Sequence, residues 1–200
     1  MRHLTLFVLM ILCLRASTVI GQNHYNVDIF DFAKAKDPKT LPLPSPANLL
    51  ANSIVEQVLE LKPQSVSVRS PKDAGTMLVK NTFYKWEDIS NPNAGMFVQL
   101  MTNPVYDEFE DYNSLVVDSK LTKGEEAPGL SKATPFKSLK IGKLTVAYSV
   151  ETSRIYWNVG NNYVLMLAFN ILNFDEAKLV KSAQIFIPEI NKNLLAMMLE

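Results

Sequence analysis

The chain has 200 residues, of which 48% are hydrophobic, and its 20 basic side chains balance its 20 acidic ones. This length suits one domain with a hydrophobic core of its own. A balanced charge gives no general attraction to nucleic acid or to an anionic membrane surface, so we expect no nucleic-acid partner.

Residues 1–21 have the layout of a secretory signal peptide. Basic residues precede an apolar run over residues 4–14, which is too short to span a bilayer comfortably, and small residues lead to a cleavage position after Gly21. A lipoprotein signal needs a small side chain before its cysteine, but Leu12 precedes Cys13. We therefore predict a secreted or periplasmic protein that is not a lipoprotein and that has no integral membrane segment after the signal is removed.

The mature chain would offer few groups for common catalytic chemistry. Cys13 falls within the predicted signal, and the histidine outside it, His24, lies in an extended lead-in over residues 22–44. Without a thiol and with one imidazole near its start, the chain lacks the usual ligands of zinc and a well-held base for a serine triad. Phosphate-binding glycine motifs do not occur. We predict no metal, no cofactor and no catalytic residue, and a hydrolase built on two carboxylates is left as an alternative.

Residues 45–200 are predicted to form one α+β domain. Ser45 and Pro46 favour a helix start, and an apolar stripe with helical spacing follows until Pro63. Alternating or continuous apolar character predicts about six strands, over residues 64–69, 76–86, 95–101, 144–150, 154–159 and 163–171. Short connections favour antiparallel hairpins, and the last strand is apolar on both faces, which places it centrally in the sheet.

Two further helices are predicted around acidic segments. Pro104 to Lys120 fits a helix with Phe109, Tyr112 and Val116 directed inward. The segment holds four clustered acids, Asp107, Glu108, Glu110 and Asp111. Asp107, Glu110 and Asp111 fall on the opposite side together with Ser114 and Asp118, and this side is interpreted as a solvated face. The glycine that an EF-hand needs at its sixth position is Tyr112 here, which argues against a calcium loop.

The final helix is expected to start with Asn173 as its cap and Glu176 three residues later. Pro188 lacks the donor that a helix interior needs, so a kink or a break is expected there. Between the two acidic segments, residues 122–139 are rich in glycine and proline, and we predict a loop that serves as a mobile cover or a binding loop.

The strands are rich in aromatic side chains, for which packing is the ordinary role. The alternative is a small recognition patch in which Arg154 stacks on Tyr156 or Tyr148, because exposed aromatic rings supply contact area with a polar tip. In the stretch RIYWNVG, Ile155 and Trp157 share one face, and Arg154, Tyr156 and Asn158 share the other. The candidate ligand-binding residues are Arg154, Tyr156, Trp157, Tyr148 and Trp86.

The stretches NAGMFVQLMTNPVYDEFEDY and RIYWNVGNNYVLMLAFNI, followed by a terminal helix, resemble small secreted or periplasmic domains of Bacteroidetes-type bacteria. The order of elements over residues 45–187 is similar to the α/β/α sandwich of the PsbP family, whose namesake is an extrinsic protein of the photosynthetic oxygen-evolving complex. This resemblance implies an antiparallel sheet covered by helices that serves as a non-enzymatic binding or assembly module. It carries over no functional residue.

Three functions follow as hypotheses. The first is an exported binding or assembly domain that recognises a protein, an envelope component or a small ligand. The second is a carboxylate-dependent hydrolase of an envelope polymer, which requires two convergent carboxyl groups. The third is a carrier of a small apolar ligand, suggested by Met96, Met101 and Met166 beside apolar strands.

Overall fold

The part of the chain described by the structure, a computed structural model, comprises residues 43–61, 63–69, 79–88, 90–102, 109, 111–126, 132–160 and 163–199. The predicted signal peptide and almost all of the lead-in lie outside these residues. So do three of the four clustered acids, Asp107, Glu108 and Glu110.

Within these residues, seven antiparallel strands form one open sheet. They are β1 (Ser65–Arg69), β2 (Val79–Lys85), β3 (Gly95–Thr102), β4 (Lys137–Ile141), β5 (Leu144–Ser149), β6 (Arg154–Val159) and β7 (Tyr163–Asn170). Their spatial order is β1-β2-β3-β7-β6-β5-β4, so two meanders meet where β3 pairs with β7. The predicted antiparallel α+β fold is confirmed, as is the central position of the last strand.

Strand β4 is the one that was not among the six predicted strands. It lies partly in the segment that we predicted as the loop 122–139. It is an edge strand, and Lys137, Ser138 and Lys140 are exposed along it. Charged residues are typical of edge strands, because they discourage pairing with other chains. They also weaken the apolar alternation that identifies a strand in a sequence, which explains why this strand was missed.

Helices pack on both faces of the sheet. A short 3-10 turn (Pro46–Asn48) is followed by α1 (Asn52–Leu59), α2 (Tyr112–Lys123) and α3 (Glu176–Leu199). Trp157 and Leu165 face α3 within a large core, to which Leu50 and Val55 from the α1 region also belong. Tyr156 and Met166 face α2 within a smaller cluster around Val117. The first surface is called the α3 face below, and the second is called the α2 face.

Helix α2 begins at Tyr112, and the start predicted at Pro104 is wrong where it can be compared. Phe109 is not helical and is 58% exposed, whereas Asn113 and Val117 are the buried residues of the helix. Asp111 occupies the N-cap position, and aspartate favours caps over helix interiors. Asp111 and Asp118 are exposed, which agrees with the predicted solvated face.

Helix α3 runs from Glu176 to Leu199 without a break at Pro188, so a break there is wrong, and the kink that we gave as the alternative stays a prediction. Ile187, Ile190 and Leu194 around this proline are fully buried, and their burial outweighs one missing backbone hydrogen bond. The helix is capped by Asp175 rather than by Asn173, because the Asp175 carboxylate accepts a 2.9 Å bond from the Lys178 backbone N–H. Within the described ranges, neither α3 nor any other helix has the length and apolar character needed to cross a bilayer.

Candidate functional site

The alternation of β6 places Arg154 and Tyr156 on the same side of the sheet, as the sequence predicted. This side is the α2 face. Both side chains meet the carboxylate of Glu125, which lies just beyond the end of α2. Arg154 Nη1 donates to Glu125 Oε1 at 2.7 Å, and the Tyr156 hydroxyl lies 3.2 Å from the same oxygen. The Glu125 side chain is 15% exposed and that of Arg154 is 40% exposed, so the carboxylate is shielded from water while the guanidinium is partly solvated.

The backbone holds Glu125 in place through a bridge to Thr134. The Glu125 N–H donates to the Thr134 carbonyl at 2.9 Å, and the Thr134 N–H donates back to the Glu125 carbonyl at 2.8 Å. Gly124 precedes the bridge with φ +77° and ψ −159°, a backbone conformation that is essentially restricted to glycine. The sharp turn at Gly124 thus directs the Glu125 carboxylate onto the sheet.

Lys120 completes this network from the last turn of α2. Its Nζ lies 3.3 Å from Glu125 Oε1 and 4.7 Å from the centroid of the Tyr156 ring. Phe136 packs against Tyr156 with the ring centroids 5.6 Å apart, and Lys120 Nζ lies 6.0 Å from the Phe136 ring centroid. A lysine placed over aromatic rings is stabilised by the negative π-faces. Two cations therefore share one carboxylate beside an aromatic pair.

Burial raises the pKa of Tyr156 to about 12, and the negative charge of Glu125 acts in the same direction. Tyr156 is therefore a neutral phenol at physiological pH, and it acts as a hydrogen-bond donor to Glu125. A phenol with a raised pKa is a poor general base and a poor nucleophile. The chemistry of this residue is that of a fixed donor and an aromatic surface.

A cavity of about 190 Å³ lies beside the network, between α2 and strands β3, β6 and β7. We call it the α2 recess; its walls are formed by Gln99, Met101, Thr102, Tyr112, Asn113, Val116, Lys120, Tyr156 and Val164. The Gln99 amide is oriented by a 3.0 Å bond that it donates to Asn81. The recess combines an apolar wall with a small number of oriented polar groups, which is the usual composition of a small-molecule site.

The structure separates the other three candidate residues from Arg154 and Tyr156. Trp157 is fully buried on the α3 face and donates a 2.9 Å bond from Nε1 to Asn191, and Trp86 is 4% exposed in the same core. Tyr148 also belongs to that core, so the sheet lies between it and Arg154, and the two cannot stack. The candidate patch therefore reduces to Arg154 and Tyr156.

Sequence reasoning missed Lys120, Glu125 and Gln99. Lys120 follows Asn113 and Val117 on the inward side of α2 at helical spacing, so a revised helix register would have identified it. Glu125 carries no comparable signal, because its partners Arg154 and Tyr156 are 29 and 31 residues away along the chain.

At the α3 face, Tyr148 and Lys137 both bond Glu176. This group predicts that stability depends on pH. Glu176 accepts bonds from Lys137 Nζ at 2.8 Å and from the Tyr148 hydroxyl at 2.7 Å. The Lys137 bond, followed by the Tyr148 bond, lowers the pKa of Glu176. A carboxyl group whose pKa is lower in the folded state adds stability above its unfolded pKa, and this stability is lost as the pH falls through the folded value.

We expect Lys137→Met to raise the Glu176 pKa more than Tyr148→Phe does, in a titration of the side-chain carboxyl carbon by NMR. Lys178→Met is the matched control, since Lys178 is an exposed lysine near the start of the same helix that bonds the Asn173 carbonyl. An unchanged Glu176 pKa in Lys137→Met would contradict the prediction.

No cluster of three or more histidine, cysteine, aspartate or glutamate side chains that could hold a metal ion occurs within the described ranges. Comparisons of the chain with family models, with curated proteins and with solved structures found no match. The likeness to PsbP domains therefore stays a prediction.

Proposed function

We propose that this chain is a non-catalytic binding domain whose ligand occupies the α2 recess. The observation that carries the proposal is the composition of the recess, where the Lys120 ammonium and the Gln99 amide line the same cavity as the apolar side chains of Val116 and Val164. In this proposal the predicted signal peptide directs export, and the domain recognises a small ligand or a small group of an envelope component.

The groups around the recess support binding rather than bond cleavage. Glu125 contacts Arg154, Lys120 and Tyr156, so its carboxylate is already engaged within the network. A carboxylate-dependent hydrolase needs a second carboxyl group that converges on the first, whereas Asp111 and Asp118 of α2 are exposed. The hydrolase hypothesis is therefore less well supported than binding.

The carrier of a purely apolar ligand is also less well supported. Of the three methionines that suggested it, Met96 belongs to the large core and Met166 to the smaller cluster, and only Met101 lines the recess. A recess that presents an ammonium group and an amide favours a ligand with a polar end.

The test is a fragment titration followed by backbone amide NMR on the full mature chain. Fragments the size of a benzene ring are expected to shift the amides of Val116 and Val164. Val116→Phe should fill the recess and remove these shifts, whereas Leu115→Phe adds a comparable bulk at the next position, which is 53% exposed, and should leave them unchanged.

Equal binding in both variants would contradict the proposed site. Saturable turnover of a polymer or ester substrate that is abolished by Glu125→Gln would contradict the non-catalytic function. Thermal unfolding of each variant shows whether the fold is intact.

A further inference from the structure

We infer that the α2 recess takes a small monocarboxylate with an apolar body, an inference that rests on the proposed function. The ligand class follows from the charge of the site, from the donors that remain available, and from the shape of the apolar wall.

The charge of the network favours an anion. Lys120 and Arg154 bring two positive charges, and Glu125 brings one negative charge. Arg154 is 40% exposed, whereas the side chains of Lys120 and Glu125 are 20% and 15% exposed, so solvent access is restricted at Lys120. Charge interactions are stronger in such a shielded position than at the open surface.

Lys120 is the cation that can reach a ligand. It lines the recess and pairs with Glu125 at 3.3 Å, whereas Arg154 contacts the same carboxylate at 2.7 Å from outside the lining of the recess. An ammonium group has three donors, and the ion pair with Glu125 engages at most one of them. Lys120 can therefore bond a second carboxylate without leaving the first.

A single ammonium group suits a monoanion better than a phosphate. Phosphate groups are favoured by several cations or by the planar fork of arginine, whereas the lining of the recess includes Lys120 but not Arg154. A carboxylate at Lys120 would have its single charge matched by the excess charge of the network.

The rest of the recess sets the body of the ligand. Met101, Val116 and Val164 form the apolar wall, and the Tyr156 ring adds an aromatic surface. The cavity of about 190 Å³ is somewhat larger than an apolar cavity of about 150 Å³ that accommodates benzene in another protein. A six-membered ring or a branched chain of similar size fits this space.

The experiment compares benzoate with benzamide, which has a nearly identical shape and no charge, by calorimetric titration of the mature chain. Benzoate is expected to bind about tenfold more tightly than benzamide, the gain from one charge-assisted bond. Raising the salt concentration should reduce this ratio.

Two variants of α2 locate the preference. Lys120→Met keeps the alkyl stem and removes the charge, so it should bring the affinities for benzoate and benzamide within about twofold of each other. Lys123→Met removes an exposed lysine from the same last turn and should leave the ratio unchanged. Glu125→Gln frees Lys120 from its competitor and should strengthen the binding of benzoate.

Equal affinity for benzoate and benzamide would overturn the inference and leave the recess as a binding site for neutral ligands. A preference for benzoate that survives Lys120→Met would also overturn it. If neither benzoate nor benzamide binds in a manner that Val116→Phe abolishes, the proposed function fails together with the inference.

Discussion

Replacing Trp157 with alanine is expected to lower the free energy of unfolding by about 3–5 kcal/mol, the largest effect of any single truncation considered for this chain. Trp157 is fully buried, and its indole N–H donates a 2.9 Å bond to the Asn191 side chain, which is itself 1% exposed. Truncation would create a cavity between the sheet and α3 and would leave a buried amide without its donor. Denaturant unfolding followed by circular dichroism measures the loss.

A double-mutant cycle separates packing from hydrogen bonding at this position. Trp157→Phe keeps most of the apolar volume and removes the donor, so we expect a loss of about 1–3 kcal/mol from the unsatisfied Asn191 amide. Adding Asn191→Leu removes the acceptor as well, and a coupling energy of about 1 kcal/mol between the two sites is expected. Trp86 remains as a fluorescent probe in every variant. A loss below about 1 kcal/mol in Trp157→Ala would contradict the role of this side chain in joining β6 to α3.

Periodicity in the sequence predicted the core of the fold because burial selects it directly. In β6, Ile155 and Trp157 face α3 and Tyr156 faces α2, as alternation requires. Periodicity was less informative where other forces compete with it. Pro188 continues a helix because its neighbours are buried, and α2 begins only at Tyr112, after the acidic residues that the predicted helix included.

The candidate site was only partly predictable, because its members come from three separate segments. Arg154 and Tyr156 share a strand and a face, which the sequence shows. Glu125 and Lys120 reach them from the end of α2, and the pairing depends on where the sheet places that helix. The pattern that placed Trp157 on a strand could not show whether its side chain is buried or exposed, because tryptophan occurs in both situations on strands.

The two faces of the sheet differ in a way that favours the α2 face for binding. Helix α3 covers its face with 24 residues and buries large apolar side chains such as Phe186 and Leu194. Helix α2 has 12 residues, and its buried positions include the polar Asn113. A shorter helix with polar inward groups leaves room for the recess and for the ion network beside it. In the function we propose, the ligand therefore binds on the face of the sheet opposite the large core.

Replacing Gly124 with alanine is expected to cost about 2–4 kcal/mol of stability and to displace Glu125 from the network. The added Cβ would lie 2.3 Å from the Thr134 carbonyl oxygen, the same atom that accepts the Glu125 N–H. The backbone conformation of Gly124 also excludes side chains, so the clash and the strain add. Relief requires movement of the bridge, and Glu125 would move with it. Denaturant unfolding measures the cost, and the NMR shift of the Arg154 guanidinium reports the separation from Glu125.

Gly142→Ala is the matched control, because it isolates the backbone strain from the clash. Gly142 has a positive φ of +60°, but a Cβ at this position would meet nothing within 4 Å. Its substitution should therefore cost only about 1 kcal/mol and leave the Arg154 signal unchanged. Equal losses in the two variants, with Arg154 unaffected in both, would mean that the bridge does not position Glu125. The network would then depend on the side-chain pairing of Glu125 with Arg154 and Lys120 alone.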